Sequence, residues 1–275
     1  MTYSFPQRRA AVRPSPVFLA VVAVTVAGGV LAWIAEPNSN LARVGVFLMV
    51  VAGWVVTLCL HEFAHAFTAW RAGDQDVEMR GYLTLNPLKY SHPLLSIVLP
   101  IVFIALGGIG LPGGAVYVHS HNFSPRIQRL ISFSGPAVNL VCGIVMLAIV
   151  RLFAPEPFGF AAEPGSGRLT VELLPQAPFW LALSFLAFLQ ITAFVLNILP
   201  VPGMDGYGVL EPSLSYKTRQ TLDQFKPFGM LILFALLFTP QINRVFFDSI
   251  YWLFELSGVP SYWSGQGSRL FRFWT

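Results

Sequence analysis

Charge is scarce in this sequence. Asp, Glu, Lys and Arg together account for 11% of the 275 residues, whereas hydrophobic residues account for 55%. An average soluble domain carries roughly 25% charged residues, so this composition excludes an ordinary water-soluble protein. The net charge of +4 arises from basic residues that are spread over the polar connections and form no patch. We therefore expect no nucleic-acid partner.

Cysteine is also rare, and both copies lie inside apolar runs. Cys59 and Cys142 are the two cysteines of the chain. Cysteines in such surroundings behave as small buried hydrophobic residues, which excludes a disulfide scaffold and predicts no redox site. The sequence also lacks solenoid repeats, low-complexity tracts and any polar stretch long enough to form a separate soluble domain. Residues 1–275 are therefore expected to form a single membrane-embedded domain.

Long apolar runs are what the sequence has instead. A membrane-spanning helix needs about 20 predominantly apolar residues. Four runs qualify, at residues 17–35, 44–68, 129–153 and 177–199. Two shorter apolar segments, 227–239 and 245–259, could form one broken span, a hairpin, or a span with an interfacial helix, and leave the side of the C-terminal tail open. The expected fold is an all-α polytopic protein, a bundle of about five to six transmembrane helices in a lipid bilayer.

The distribution of Lys and Arg predicts the orientation of the chain. Arg8, Arg9 and Arg13 precede the first apolar run, which favours a cytoplasmic N-terminus. The segment 93–112 is long enough to span, but it contains three prolines and three glycines. The C-terminal tail is left out of the following count of Lys and Arg. If the segment re-enters without crossing, 11 basic residues lie on the cytoplasmic side of the membrane and 4 on the opposite side. If it spans, 9 lie on the cytoplasmic side and 6 on the opposite side. We therefore predict a re-entrant segment, flanked by short β-strands at 76–86 and 113–122 near the active site.

Ionisable residues interrupt the second apolar run. His61, Glu62 and His65 form an HExxH motif. On a helix, residues i and i+4 lie on one face, so both imidazoles can bind one zinc ion. Glu62 is offset around the helix, where it can take a proton from a metal-activated water. Two histidines satisfied inside an apolar core are the alternative interpretation.

A catalytic zinc site usually has three protein ligands and one open position. His65 lies near the cytoplasmic end of its predicted span. Asp205 follows the 177–199 run and reaches the same end of the membrane only if 93–112 does not cross it. The sequence therefore predicts zinc as the cofactor, with His61, His65 and Asp205 as its ligands.

Three motifs carry a resemblance to a known family. HEFAH (61–65), SGPAVN (134–139) and NILPVPGMDG (197–206) occur in the order typical of the site-2 protease family of intramembrane zinc metalloproteases, and GYLTLNP (81–87) is similar to compact bacterial members. The resemblance covers about residues 44–215 and includes no PDZ or CBS domain. It implies a zinc-dependent endopeptidase of the cell membrane that cleaves proteins within or next to their transmembrane segments, with the aspartate as third ligand.

The resemblance also divides the chain and assigns roles. Residues 44–215 are the expected catalytic core, 1–43 an N-terminal anchor span and 227–275 a C-terminal helical segment. Glu62 is the expected catalytic base. Asn139 is a candidate oxyanion donor or substrate contact, with an interhelical hydrogen bond as the alternative, and Asn197 either binds substrate or fixes the loop that carries Asp205.

Two other classes of function remain open at this stage. Buried histidine and aspartate would also suit a metal or proton transporter, and a catalytically silent homologue could serve as a binding scaffold. The sequence does not identify the substrate, the regulation or the oligomeric state.

Overall fold

The structure is a computed structural model that describes residues 12–90, 98–105, 118, 123–162 and 169–274. Its α-helices are α1 (Pro16–Ile34), α2 (Asn40–Ala72), α3 (Asp76–Met79), α4 (Leu99–Ala105), α5 (Pro125–Phe153), α6 (Ala177–Ile198), α7 (Asp205–Leu210), α8 (Tyr216–Asp223), α9 (Gly229–Leu237), α10 (Pro240–Glu255) and α11 (Tyr262–Phe271). Single 3-10 turns cover Tyr82–Thr84, Pro87–Lys89, Glu211–Ser213 and Lys226–Phe228. Two antiparallel strands, β1 (Phe158–Ala162) and β2 (Leu169–Leu173), pair with Phe158 opposite Leu173.

Four of the described helices are long and apolar enough to cross a membrane, namely α1, α2, α5 and α6. The consecutive segments Lys226–Leu237 and Pro240–Glu255 pass the same test together, although they are bent by 94°, and would make a fifth span if counted as one. The expected fold class, an all-α polytopic membrane protein, is confirmed. Helix α6 forms the centre, because 83% of its most apolar window is buried, against 17% for α1.

Helix α2 carries the HExxH motif and has well-defined ends. Ser39 caps its start, where the hydroxyl accepts a hydrogen bond from the Ala42 amide at 3.1 Å. Gly73 ends the helix in the left-handed conformation at φ 114°, which glycine adopts without a steric penalty. Helix α1 crosses α2 at Gly28 and Gly45, where an added Cβ would lie 2.5 Å from a backbone nitrogen of the other helix. Small residues at such a crossing let two membrane helices approach closely.

The long helices alternate in direction, which gives the bundle two distinct ends. At the first, here named the site end, His65 near the end of α2 bonds to Ile131 near the start of α5, and Asp205 follows the end of α6. At the other, the far end, Trp33 of α1 contacts Trp180 at the start of α6, with ring centroids 5.6 Å apart. Helix α1 starts at the site end, because the Ser15 amide donates to the Thr84 carbonyl at 2.8 Å.

The C-terminal helix lies at the far end. Phe271 of α11 stacks on Phe47 of α2, with ring centroids 5.3 Å apart. Gly267 packs on the Leu181 carbonyl so closely that a side chain would collide with it. The structure thus places α11 at the end of the bundle that is opposite to the candidate site.

The predicted strand at 76–86 is wrong, because this segment forms α3 and a 3-10 turn. The Asp74 carboxylate accepts a hydrogen bond from the Asp76 amide at 3.1 Å and starts the helical turn, as aspartate often does. Gly81 (φ 78°) and Leu85 (φ 55°) then prevent an extended chain. Burial of Leu83 against the end of α2, rather than sheet pairing, produced the apolar alternation.

The predicted strand at 113–122 lies outside the described residues, apart from Val118. The strands that the structure does describe, β1 and β2, belong to the connection between α5 and α6, which is at the far end of the bundle. The strand at 113–122 near the active site therefore stays a prediction.

The predicted re-entrant segment 93–112 lies mostly outside the described residues. Its described part contains α4, a helix of seven residues, and Ile104 of this helix is buried in the main apolar core. Helix α2 ends and α5 begins at the same end of the bundle, as a segment that does not cross the membrane requires.

Candidate active site

Helices α2 and α7 bring the three predicted ligands together. The Asp205 carboxylate lies 3.3 Å from His61 Nε2 and 3.4 Å from His65 Nε2. The two Nε2 atoms are 3.1 Å apart. Zinc bonds of about 2.0–2.1 Å in a tetrahedron separate neighbouring ligand atoms by about 3.3–3.4 Å. The residues therefore fit a zinc ion, and the only group of this kind found among the described residues is this one.

Unsatisfied polar atoms support the same interpretation. Asp205 Oδ2 is buried and accepts no hydrogen bond from the described residues, although buried carboxylate oxygens normally have a partner. Burial raises the pKa of Asp205, but the neighbouring imidazoles of His65 and His61 outweigh burial and hold the pKa below its ordinary value. The carboxylate is thus ionised and available to a cation.

A sharp turn after α6 places Asp205 next to His61 and His65. Helix α6 ends at Ile198, two residues before Pro200, and Leu199 is extended. Gly206 then packs against the Ile198 carbonyl, where a Cβ would collide. Gly203 adopts φ 95°, a conformation that favours glycine. The glycines of the motif therefore allow α7 to fold back onto the end of α6.

The orientation of the His65 ring is fixed by helix α5. Nδ1 of His65 lies 2.7 Å from the Ile131 carbonyl oxygen, so Nδ1–H donates this bond and Nε2 is left for a metal. The Ser134 hydroxyl donates to the same carbonyl at 2.7 Å. Metal-binding histidines commonly have such a partner, because it sets the tautomer and the direction of the ring.

Gly135 of α5 lies directly against both imidazoles. A Cβ at this position would lie 2.7 Å from His61 Nε2 and would overlap His65 Nε2. Pro136 follows within an unbroken α5. The Gly-Pro pair of the SGPAVN motif thus provides space at the ligands, a role that the sequence analysis did not assign to the glycine.

The other predicted site residues lie close to the ligands along their helices. Glu62 is buried on α2 between the two histidines in sequence. Asn139 is buried one turn beyond Gly135 on the same face of α5, and Asn197 is buried in the last turn of α6. The roles of both asparagines stay predictions.

Sequence reasoning missed two groups that support the site. The Gln190 side-chain amide donates to the Thr57 hydroxyl at 2.8 Å and joins α6 to α2 one turn from His61. The sequence signal for this contact was Gln190 itself, a single glutamine within the apolar run 177–199. The second group is an ion-pair cluster behind α7, and its members are Tyr207, Glu211, Arg219, Asp223 and Lys226.

The cluster is built around Glu211, a buried carboxylate directly after α7. Arg219 Nε lies 2.7 Å from it and Lys226 Nζ lies 3.1 Å from it. Lys226 also pairs with Asp223 at 2.9 Å, which accepts a hydrogen bond from the Tyr207 hydroxyl at 2.9 Å. No local sequence pattern predicts this cluster, because its members meet only after α7 and α8 have packed together.

Comparison with known proteins identifies the family. The model of peptidase family M50 matches residues 47–240. The chain belongs to this family. This M50 peptidase is 53% identical to "Putative zinc metalloprotease Rip2" of Mycolicibacterium smegmatis over 97% of this chain and 96% of the relative. It is 50% identical to the protein of the same name in Mycobacterium tuberculosis H37Rv, over 98% of this chain and 97% of the relative.

A more distant relative carries a similar name. "Putative zinc metalloprotease YwhC" of Bacillus subtilis is 28% identical over 68% of this chain and 78% of the relative. No solved structure matches the chain. Together with the metal-ligand geometry, the family confirms the resemblance to site-2 proteases: this M50 peptidase is a membrane-embedded zinc metalloendopeptidase. The transporter and silent-scaffold alternatives are not favoured.

Proposed function

We propose that His61, His65 and Asp205 hold the catalytic zinc ion of this peptidase and that Glu62 is its general base. The observation that carries the proposal is the convergence of three ligand atoms within 4.8 Å of one another. They come from α2 and α7, which are far apart in sequence. Glu62 completes the HExxH arrangement, in which the glutamate lies beside the metal and does not bind it.

Zinc in such a site supplies Lewis-acid activation of a water molecule, whose pKa falls to about 7. Glu62 would act as general base and take the proton of the water that attacks the carbonyl carbon of the scissile peptide bond. Glu62 afterwards delivers the proton to the nitrogen of the leaving amine, so one residue acts first as base and then as acid.

Asn139 is proposed to donate a hydrogen bond to the carbonyl oxygen as it gains negative charge. Its side chain is buried on the face of α5 that carries Gly135. Asn197, in the last turn of α6 before the Asp205 loop, is proposed to contact the substrate backbone or to hold that loop in position.

The substrates are proposed to be transmembrane proteins that are cut near the site end of their spans. His65 lies seven residues before the end of α2, which is about 10 Å along the helix axis. We propose that the protein crosses the cell membrane several times and that its N-terminus and site end face the cytoplasm. The excess of Lys and Arg in the connections at this end supports that orientation.

Residues 1–275 are proposed to form one metalloprotease domain with its catalytic core at about 44–215. Helix α1 packs along α2, and α11 packs on α2 and α6. The N-terminal anchor and the C-terminal helices thus contact the core directly, as parts of one domain do.

The proposal is tested with the Glu62→Gln variant, purified in detergent beside the wild type. Zinc content is measured by mass spectrometry, and cleavage is measured on a helical membrane peptide. Loss of the base should reduce the rate at least about 100-fold, while the zinc content stays unchanged because Glu62 is not a ligand.

Glu156→Gln is the matched control, because Glu156 is exposed beyond the end of α5. It should retain both zinc and activity. Cleavage by Glu62→Gln at the wild-type rate would contradict the role of Glu62 as base, and loss of zinc in this variant would make Glu62 a ligand.

A further inference from the structure

A polar cavity lies at the far end of the bundle, remote from the proposed zinc ligands. Its volume is about 580 Å³. Arginines from two helices line it, Arg43 in the first turn of α2 and Arg269 and Arg272 at the end of α11. Leu173 and Phe273 are among its apolar neighbours. Nothing in the catalytic reaction requires this cavity.

The cavity carries an excess of positive charge. Among the described residues, the lining contains three guanidinium groups and one carboxylate, that of Glu172. No ion pair within the described residues involves Arg43, Arg269 or Glu172. Arginines in a concave site without carboxylate partners can offer their hydrogen bonds to an anion, and the planar guanidinium binds phosphate with two parallel bonds.

Aromatic residues mark the depth of the cavity in the membrane. At this end Trp33, Phe179 and Trp180 contact one another, with ring centroids 5.0–5.6 Å apart. Next to the cavity, Phe47 contacts Phe271 and Trp274. Tryptophan and other aromatic residues concentrate at the boundary between hydrocarbon and headgroups. These aromatic residues favour a position of the arginines near the level of lipid phosphates.

We propose that this cavity binds a phosphate-bearing anion, either the headgroup of an anionic phospholipid or free phosphate. The guanidinium groups of Arg43 and Arg269 hold the phosphate from two helices that are remote in sequence. The apolar residues of the cavity suit the adjoining glycerol and acyl carbons of a lipid. The bound anion would connect α11 to α2.

The test uses the full-length protein in detergent, with short-chain phosphatidylglycerol, phosphatidylcholine or inorganic phosphate added separately. Binding is measured by native mass spectrometry and by the shift of the thermal unfolding midpoint. Phosphatidylglycerol should bind the wild type and raise its midpoint. In the double variant Arg43→Gln/Arg269→Gln this binding should weaken about tenfold or more, because charge-assisted hydrogen bonds are lost.

Arg244→Gln removes the same charge outside the cavity and is the matched control, which should bind like the wild type. Arg43→Lys/Arg269→Lys keeps the charge and should retain part of the binding, which separates anion recognition from misfolding. Inorganic phosphate that binds the wild type but not the Gln variant, with no effect of the lipid, would identify a free anion as the ligand. Equal binding of phosphatidylcholine, or unchanged binding of phosphatidylglycerol by the Gln variant, would overturn the proposal.

Discussion

Gly135 lies where any side chain would overlap the imidazoles of His61 and His65. In the Gly135→Ala variant the added methyl group must displace the rings or separate α5 from α2. We expect zinc binding to weaken at least about tenfold, as it does when groups that orient metal ligands are changed. Titration of the metal-free protein with zinc measures the change.

Gly265→Ala provides the comparison for this substitution. Gly265 is also helical, but nothing lies within 4 Å of an added Cβ there, so this variant should bind zinc like the wild type. Equal zinc affinity in both variants would show that the close approach of Gly135 does not shape the site.

Asn139 and Asn197 can be distinguished by their effects on rate and on zinc. Asn139→Ala should lower kcat about 100- to 1,000-fold, which is typical of the loss of an oxyanion donor, with zinc content unchanged. If Asn197 holds the Asp205 loop, Asn197→Ala should instead weaken zinc binding. Steady-state kinetics at saturating zinc, together with zinc titration, measure both effects. Unchanged kcat in Asn139→Ala would contradict its proposed role.

At the scale of elements, the position of α7 depends on the cluster around Glu211. This buried carboxylate lies between Arg219 and Lys226, so α8 and the turn after it hold the end of the helix that begins with Asp205. In Glu211→Gln the two cations lose their central partner and α7 is held less firmly. We expect zinc affinity to fall about tenfold and activity to return at excess zinc.

Glu36→Gln, in the exposed connection between α1 and α2, is the control and should show neither effect. Recovery of activity with zinc is the decisive measurement, because general unfolding would not be reversed by the metal. Full activity of Glu211→Gln at limiting zinc would show that the cluster does not position Asp205.

For the whole molecule, zinc bound at the proposed site would link α2 to the segment after α6 and should stabilise the folded state. A ligand present at about 100 times its Kd adds about 2.7 kcal/mol to the free energy of unfolding. A chelator should therefore lower the thermal unfolding midpoint of the wild type. Asp205→Ala should start from the lower midpoint and show no further decrease, and a chelator shift of equal size in that variant would contradict Asp205 as a ligand.

The long helices and the convergence of His61, His65 and Asp205 were predictable from sequence because most of their signals are local. Apolar run length predicts a span, and HExxH places His61 and His65 on one helix face. Asp205 could be added because a third ligand has to reach the same membrane depth. The prediction of a strand at 76–86 was wrong for a physical reason. The loose alternation of apolar and polar residues there reflects burial of Leu83 against α2, and Asp74 starts a helical turn.

The supporting contacts were not predictable, because they depend on distant parts of the chain. The cluster around Glu211 forms only when α8 packs behind α7, and Gly135 gains its role only when α5 lies against α2. The SGPAVN motif marks Gly135 in the sequence but does not indicate which residues it contacts.

The location of α11 has a consequence for the number of membrane crossings. The chain enters α1 at the site end and reaches α11 at the far end, so the number of crossings between them is odd. Helices α1, α2, α5 and α6 account for four and return the chain to the site end, where Gly203 packs against the Lys226 carbonyl. We therefore expect the bent pair α9 and α10 to supply one net crossing, which would make five. With a cytoplasmic N-terminus, the C-terminus emerges on the opposite face of the membrane.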